Sequence, residues 1–252
     1  MSWLAIGASE VGTSHQETSR PCEDSCWTDV LTTSAGVPVL AVFVSDGAGS
    51  AQCGGEGAEL AIQTAAAFIV EQVQQAEFAL TDAFAVSCVT RIRETLYARA
   101  DTDGLKARDF ACTFLGVVSL AGVTLAMQIG DGGIVLDTGA GLEVAIVPMS
   151  GEYANMTHFV TDEDAVSILQ TRGYLGPARK VAVFTDGIQR LALNMTDNTP
   201  HEPFFTHFFK VMEHAKAEQQ DQLDAALVKF LSSSAVNERT DDDKTLALAV
   251  QN

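Results

Sequence analysis

Four aspartates stand at the borders of apolar runs, far apart in the chain, and three of them are followed directly by glycine. The runs read VLAVFVSDGAGS around Asp46, LAMQIGDGG around Asp131 and VAVFTDGIQ around Asp186; TDDDKTLALAV instead places Asp242 ahead of its apolar stretch. A strand that ends in a carboxylate and a tight glycine turn leaves that carboxylate at the rim of a sheet. Four such rims, if they meet, make an oxygen-rich site suited to hard divalent cations such as Mg²⁺ or Mn²⁺. Each piece has a plainer reading alone. Asp46-Gly47-Ala48-Gly49-Ser50 could be only a strand-to-helix turn, and glycines at 47, 49 and 54 do not fit the dinucleotide spacing G-x-G-x-x-G. Asp186 could serve only as a helix cap, and Asp241-Asp242-Asp243 could be a solvated acidic run. Glu23-Asp24 lies in a loop, SHQETSRPCEDSCW, where nearby Arg20 could hold a phosphate oxygen. His15 could be an acid, a ligand or neither.

The elements that must position these residues follow from hydrophobic spacing. Residues 3–8, 25–31 and 38–45 read as strands, and the unbroken apolar run Val39–Val44 suggests burial on both faces. Helical spacing follows over 55–78, through Ala58, Ala61, Ile62, Ala65, Ile69 and Val73. A second helix spans 81–100, with Thr81 or Asp82 as N-cap. Four β-runs at 111–120, 123–129, 133–138 and 142–147 are separated by Ala-Gly, Asp-Gly and Gly-Ala-Gly, which read as hairpin turns. A strand at 180–185, helices at 203–217 and 221–233, and a strand at 245–250 complete the chain. This order does not alternate strand with helix, which argues against a doubly wound or barrel fold. It fits an α+β layered sandwich in which helix pairs cover antiparallel sheets.

A length of 252 residues with 47% hydrophobic content supports a substantial core, read as a single domain over 1–252. Fifteen basic residues against 33 acidic ones give a formal charge of −18, which makes nucleic acid and anionic membranes poor partners. No apolar run approaches the ~20 residues of a membrane-spanning helix, and the N-terminus lacks the pattern of a secretory signal. Five cysteines without a C-x-x-C pair fit a reducing, cytoplasmic setting. The Asn155 and Asn194 sequons are then incidental. Cys22 and Cys26 lack the two further soft ligands a zinc site needs.

In combination the motifs are far more specific. SxxGxxH, ED, SDGAGS, GDG, TDG and TDDDKT follow one another from Gly7 to Val250, and in that order the chain resembles the metal-dependent protein serine/threonine phosphatases of the 2C class, in particular compact bacterial members. GEYANMTHFVT (151–161) also looks like a stretch of those proteins. The resemblance implies a four-layer αββα sandwich of two antiparallel sheets flanked by helix pairs, with two Mn²⁺ or Mg²⁺ ions in a cleft at one end and a third, weaker one. It implies hydrolysis of phosphoserine and phosphothreonine on proteins by a metal-bridging hydroxide. By matching motifs, Asp46 bridges the metals and the Gly47 carbonyl binds one of them. Asp186 and Asp242 hold the other, Glu23 and Asp24 serve the first directly or through water, and Asp131 helps hold the third. The implied partners are a phosphoprotein substrate and a cognate serine/threonine kinase, and the protein is expected to act as a monomer. Two positions depart from the family pattern. Ala48 stands where many members have the histidine of D-G-H-x-G, and Ser19 stands where the phosphate-binding arginine is usual. His15 and Arg20 are the candidates to supply proton donation and phosphate binding instead. These departures motivate one alternative, a weak or inactive regulatory module; a small-phosphoester hydrolase on the same scaffold is a second.

Overall fold

The computed structural model describes residues 2–147 and 157–252. The chain opens with β1 (Trp3–Glu10), a short α1 (Thr13–Glu17), β2 (Asp24–Thr32) and β3 (Pro38–Asp46), then the helices α2 (Gly54–Gln72) and α3 (Asp82–Asp103). Four strands follow, β4 (Phe114–Leu120), β5 (Val123–Ile129), β6 (Gly133–Asp137) and β7 (Leu142–Val144). After them come α4 (Ala165–Ile168), β8 (Gln170–Leu175), β9 (Lys180–Phe184), α5 (Asp186–Ala192) and the two-residue strands β10 (Leu193–Asn194) and β11 (Thr199–Pro200). The chain ends with α6 (Glu202–His214), α7 (Gln220–Leu231), α8 (Ser234–Asn237) and β12 (Lys244–Gln251).

The main strands form two five-stranded sheets, ordered β1-β12-β9-β6-β7 and β2-β3-β4-β5-β8, with antiparallel pairing throughout. The doubly buried run in β3 explains why they stack. Val39, Ala41 and Phe43 point at α2 and α3, whereas Leu40, Val42 and Val44 point at the other sheet. In β12, Leu246, Leu248 and Val250 meet the α6 and α7 side while Ala247 and Ala249 face inward. Alternation of period two therefore loads three apolar interfaces, helix–sheet, sheet–sheet and sheet–helix. The result is the four-layer αββα sandwich expected.

The Thr81 hydroxyl accepts from the Phe84 N–H (3.4 Å), so Thr81 and not Asp82 caps α3. Asp82 instead accepts from the Thr171 hydroxyl of β8. Several boundaries differ from expectation, among them these three. The first long helix stops at Gln72, the strand begun at 111 becomes regular only at Phe114, and that at 142 ends at Val144. Residues 111–113 instead pair with the turn after β3: Ala48 N–H donates to Ala111, and Thr113 N–H to Asp46. Sequence reading missed β8, whose QTRGYL is polar, carries a glycine and is half-exposed at the sheet edge. Residues 151–156, including Asn155, lie outside the described residues.

Antiparallel pairing brings the loaded termini to one end. Asp24, first in β2, lies opposite Asp46, last in β3. Phe184, at the end of β9, pairs with Leu246 near the start of β12 and with Gly133 at the start of β6. The Gly130-Asp131-Gly132 turn is not the hairpin expected: it carries the chain from β5 in one sheet to β6 in the other, with both glycines left-handed (φ +100° and +94°), a conformation that disfavours other residues there.

Candidate metal centre

At this end a cleft opens between the sheets. Asp46, Asp131, Asp186 and Asp242 line it together with Asp243 and His15. Among the described residues lining it there is no lysine or arginine. The four strand-end aspartates singled out in the sequence therefore do converge. The carbonyl-bearing turn at Gly47 also lines the cleft, as do Ala48 and Thr113.

The charges are uncompensated. Burial pushes the Asp46 carboxyl well above its ordinary range, and Asp24, Asp186, Asp242 and Asp131 push in the same direction. Asp186 is raised to about 6, first by burial, then by Asp131 and Asp242, against a hydrogen bond with Asp46 and another from the Gly187 N–H. Burial raises Asp242 as well. Clustered carboxylates whose burial and mutual repulsion raise their proton affinity are a donor set that a divalent cation would stabilise. The carboxylate-rich chemistry of the cleft fits Mg²⁺ or Mn²⁺.

Asp24 lies behind this set and does not line the cleft. Its Oδ2 accepts from the hydroxyls of Thr185 and Thr245, each at 2.8 Å. Burial lifts its pKa to about 8 despite those two donors, with Asp243 and Asp186 adding to the rise. Glu23 and Arg20 also stand outside the lining. Arg20 Nη2 contacts both Glu23 carboxylate oxygens (2.7 and 2.8 Å) and reaches the Gly49 carbonyl at 3.4 Å. The local sequence explains this placement. Ser19 is left-handed (φ +57°), its N–H donates to Gln16, and the Arg20 N–H donates to His15. That is a Schellman closure of α1 with serine where glycine is usual, and it turns the chain back so that Arg20 meets Glu23.

Sequence reading left Asp243 within an acidic run, but it is 4% exposed and saturated with donors. Its Oδ1 accepts from the Gly12 N–H (2.6 Å), and its Oδ2 from the Glu23 N–H (2.6 Å). His15 Nδ1 lies 2.9 Å from the same Oδ2, at ion-pair distance without the alignment of a hydrogen bond. Ser14 is tied to the Asp241 carbonyl by its N–H and its hydroxyl. The acidic run thus docks the Gly12–Glu23 loop and delivers His15 to the cleft. The only sequence signal was negative charge abutting an apolar strand.

A pH dependence follows. Asp24 and Asp186 have folded pKa values above their ordinary 3.8, so between about pH 4 and 8 the native state binds more protons than the unfolded one. Their stabilising contribution is fully present below pH ~4 and lost as pH rises through 6 and 8. The melting temperature of metal-free protein is expected to fall across that window, and saturating Mn²⁺ at pH 8 to reverse the fall. Thermal melts with and without chelator measure both.

The Protein phosphatase 2C family model matches residues 11–232. The chain belongs to the protein phosphatase 2C family and is an enzyme of that kind. It is 57% identical over 250 residues to serine/threonine-protein phosphatase 3 of Escherichia coli (strain K12), a match covering 99% of each chain. Among solved structures, the S. agalactiae serine/threonine phosphatase superposes with a TM-score of 0.62 at 13% identity over 100% of both chains. The catalytic domain of PstP, in complex with two manganese ions, gives 0.61 at 12% identity over 99% of each. RsbX in complex with magnesium gives 0.56 at 12% identity over 99% of this chain and 96% of that one. At such identities the structures establish the fold alone.

Proposed function

We propose that the chain hydrolyses phosphoserine and phosphothreonine esters on proteins, using divalent cations held by the strand-end aspartates. The observation that carries this reading is the convergence of Asp46, Asp131, Asp186 and Asp242 in one cleft with no facing lysine or arginine among the described residues. Two Mn²⁺ or Mg²⁺ ions, when bound, neutralise the phosphate oxygens and make water a competent nucleophile near neutral pH. Asp46, the Gly47 carbonyl, Asp186 and Asp242 would hold these ions, and Asp131 would serve a third, weaker one. Only His158, Asp162 and Asp164 among the described residues gather three candidate ligand atoms within 4.8 Å of one another.

Asp24 and Glu23 act from behind and from the rim. Asp24 orders Thr185 and Thr245, at the start of α5 and in β12, and Glu23 holds Arg20 beside the Gly49 turn as a phosphate contact. Ala48 offers no proton, so donation to the departing alkoxide falls to His15, whose Nδ1 lies 2.9 Å from Asp243 Oδ2. The chain works in this reading as a monomeric, one-domain cytoplasmic enzyme that reverses a cognate kinase.

Mn²⁺-dependent release of phosphate from a phosphothreonine peptide tests the function. Absence of turnover in protein that binds Mn²⁺ would sink it. For His15, leaving-group chemistry gives a sharper test. His15→Ala is expected to lower kcat on the phosphothreonine peptide by about 10²-fold or more, because an alkoxide must be protonated as it leaves. Hydrolysis of p-nitrophenyl phosphate, whose phenolate leaves unaided, should change far less. Equal losses on both substrates would remove His15 from that role.

A further inference from the structure

One wall of the cleft, residues 157–162, is held from outside by α3 as well as by the sheets. Arg93 Nη1 donates to the carbonyl of Val160 (2.5 Å) and to that of Asp162. The Tyr97 hydroxyl donates to the carbonyl between them, Thr161 (3.0 Å). Arg93 and Tyr97 are four residues apart on one helix face, and the guanidinium lies 5.3 Å from the Tyr97 ring centroid. Beneath them the fully buried Val160 sends its N–H to the Cys112 carbonyl. Three consecutive carbonyls are thus fixed by two side chains of one helix, and Arg93 spends a charged donor on them, a stronger bond than a neutral one.

The other end of this segment enters the site. The Thr157 hydroxyl donates to Asp131 Oδ2 at 2.9 Å, and Phe159 lines the cleft. A methyl built on Gly130, next to Asp131, would lie 3.0 Å from the His158 carbonyl, so wall and turn are in close contact. We propose that Arg93 and Tyr97 are positioning residues: α3 sets the pose of Thr157, and Thr157 sets the orientation of the Asp131 carboxylate. A helix face outside the cleft then tunes how tightly a cation is held on the Asp131 side. The inference rests on reading the cleft as a metal centre.

The test is calorimetric titration of substrate-free full-length protein with Mn²⁺, comparing wild type with Arg93→Met, Thr157→Val and the double variant. Each single change is expected to weaken the weakest Mn²⁺ step by about three- to tenfold, the size of coupling carried through packed networks, and to leave the tightest step unchanged. The double variant should be no weaker than Thr157→Val, because Arg93 acts through Thr157. Arg93→Lys should recover part of the affinity, since one donor can still reach one carbonyl. Thr157 is only half-buried, so its variant reports even if Arg93→Met fails to fold, with Tyr97→Phe as the second clamp variant. Affinities within twofold of wild type, or additive losses in the double variant, would overturn the inference. A wild type that takes up no Mn²⁺ would overturn the metal-centre reading itself.

Discussion

Asp46→Asn is expected to lower kcat on a phosphothreonine peptide by about three to four orders of magnitude and to raise the melting temperature of the metal-free protein. The loss follows from position. Asp46 ends β3, faces the cleft and feels four other carboxylates. If Asp46 serves the cations as proposed, neutralising it would weaken their hold, and metal-ion stabilisation of the transition state is worth several kcal/mol, each ~1.4 kcal/mol being tenfold in rate. The gain in stability has the same cause. Without cations the native state must hold a buried carboxylate among like charges, and asparagine relieves this at nearly unchanged volume. Its backbone is secured independently of the carboxylate, by the Asp46 N–H to the Thr113 hydroxyl and the Thr113 N–H to the Asp46 carbonyl. Steady-state kinetics and melts in chelator check both signs. Near-normal turnover, or a lower metal-free melting temperature, would contradict the assignment.

Gly187→Ala carries the second large effect. A methyl built on Gly187, in the first turn of α5, would lie 2.0 Å from the Asp243 carbonyl oxygen and 3.5 Å from Asp242 Cβ. The obstacle is backbone, so α5 and the start of β12 must separate. That movement parts Asp186 from Asp242 and loosens the Asp243 latch on Gly12, Glu23 and His15. Overpacking of this kind costs about 1–3 kcal/mol of stability. The catalytic loss should be larger, about 10²-fold or more, because an ångström of misplacement at the reacting centre costs that much. Calorimetric Mn²⁺ affinity and kcat should fall together while circular dichroism shows the fold retained. An unchanged Mn²⁺ affinity would contradict the packing that links α5 to β12.

Much of this was legible in the sequence, for identifiable reasons. The Val39–Val44 run had to lie between two layers, and its alternating faces load two interfaces. The strand-end aspartates were legible because a carboxylate after a buried strand has few places to go except the rim. The rest depends on tertiary partners with no local signature. Nothing in Asp241-Asp242-Asp243 says that the last would be buried under N–H donors from residues 12 and 23, with His15 at ion-pair distance. Asp24, beside Glu23, reads as a loop acid, yet its two hydroxyl partners come from residues 185 and 245. The Schellman closure at Ser19, which sends Arg20 to Glu23 and out of the cleft lining, is masked by the absence of glycine. The edge strand β8 was missed because an edge strand needs only one apolar face.

The aspartates of the cleft are proposed to hold the catalytic cations, and crystals soaked in Mn²⁺, with an anomalous difference map at the manganese edge, are the sharpest test. Two strong peaks are expected between Asp46, Asp186 and Asp242, and a weaker one beside Asp131. A cleft without peaks in crystals that bind Mn²⁺ elsewhere, for instance at His158, Asp162 and Asp164, would contradict it.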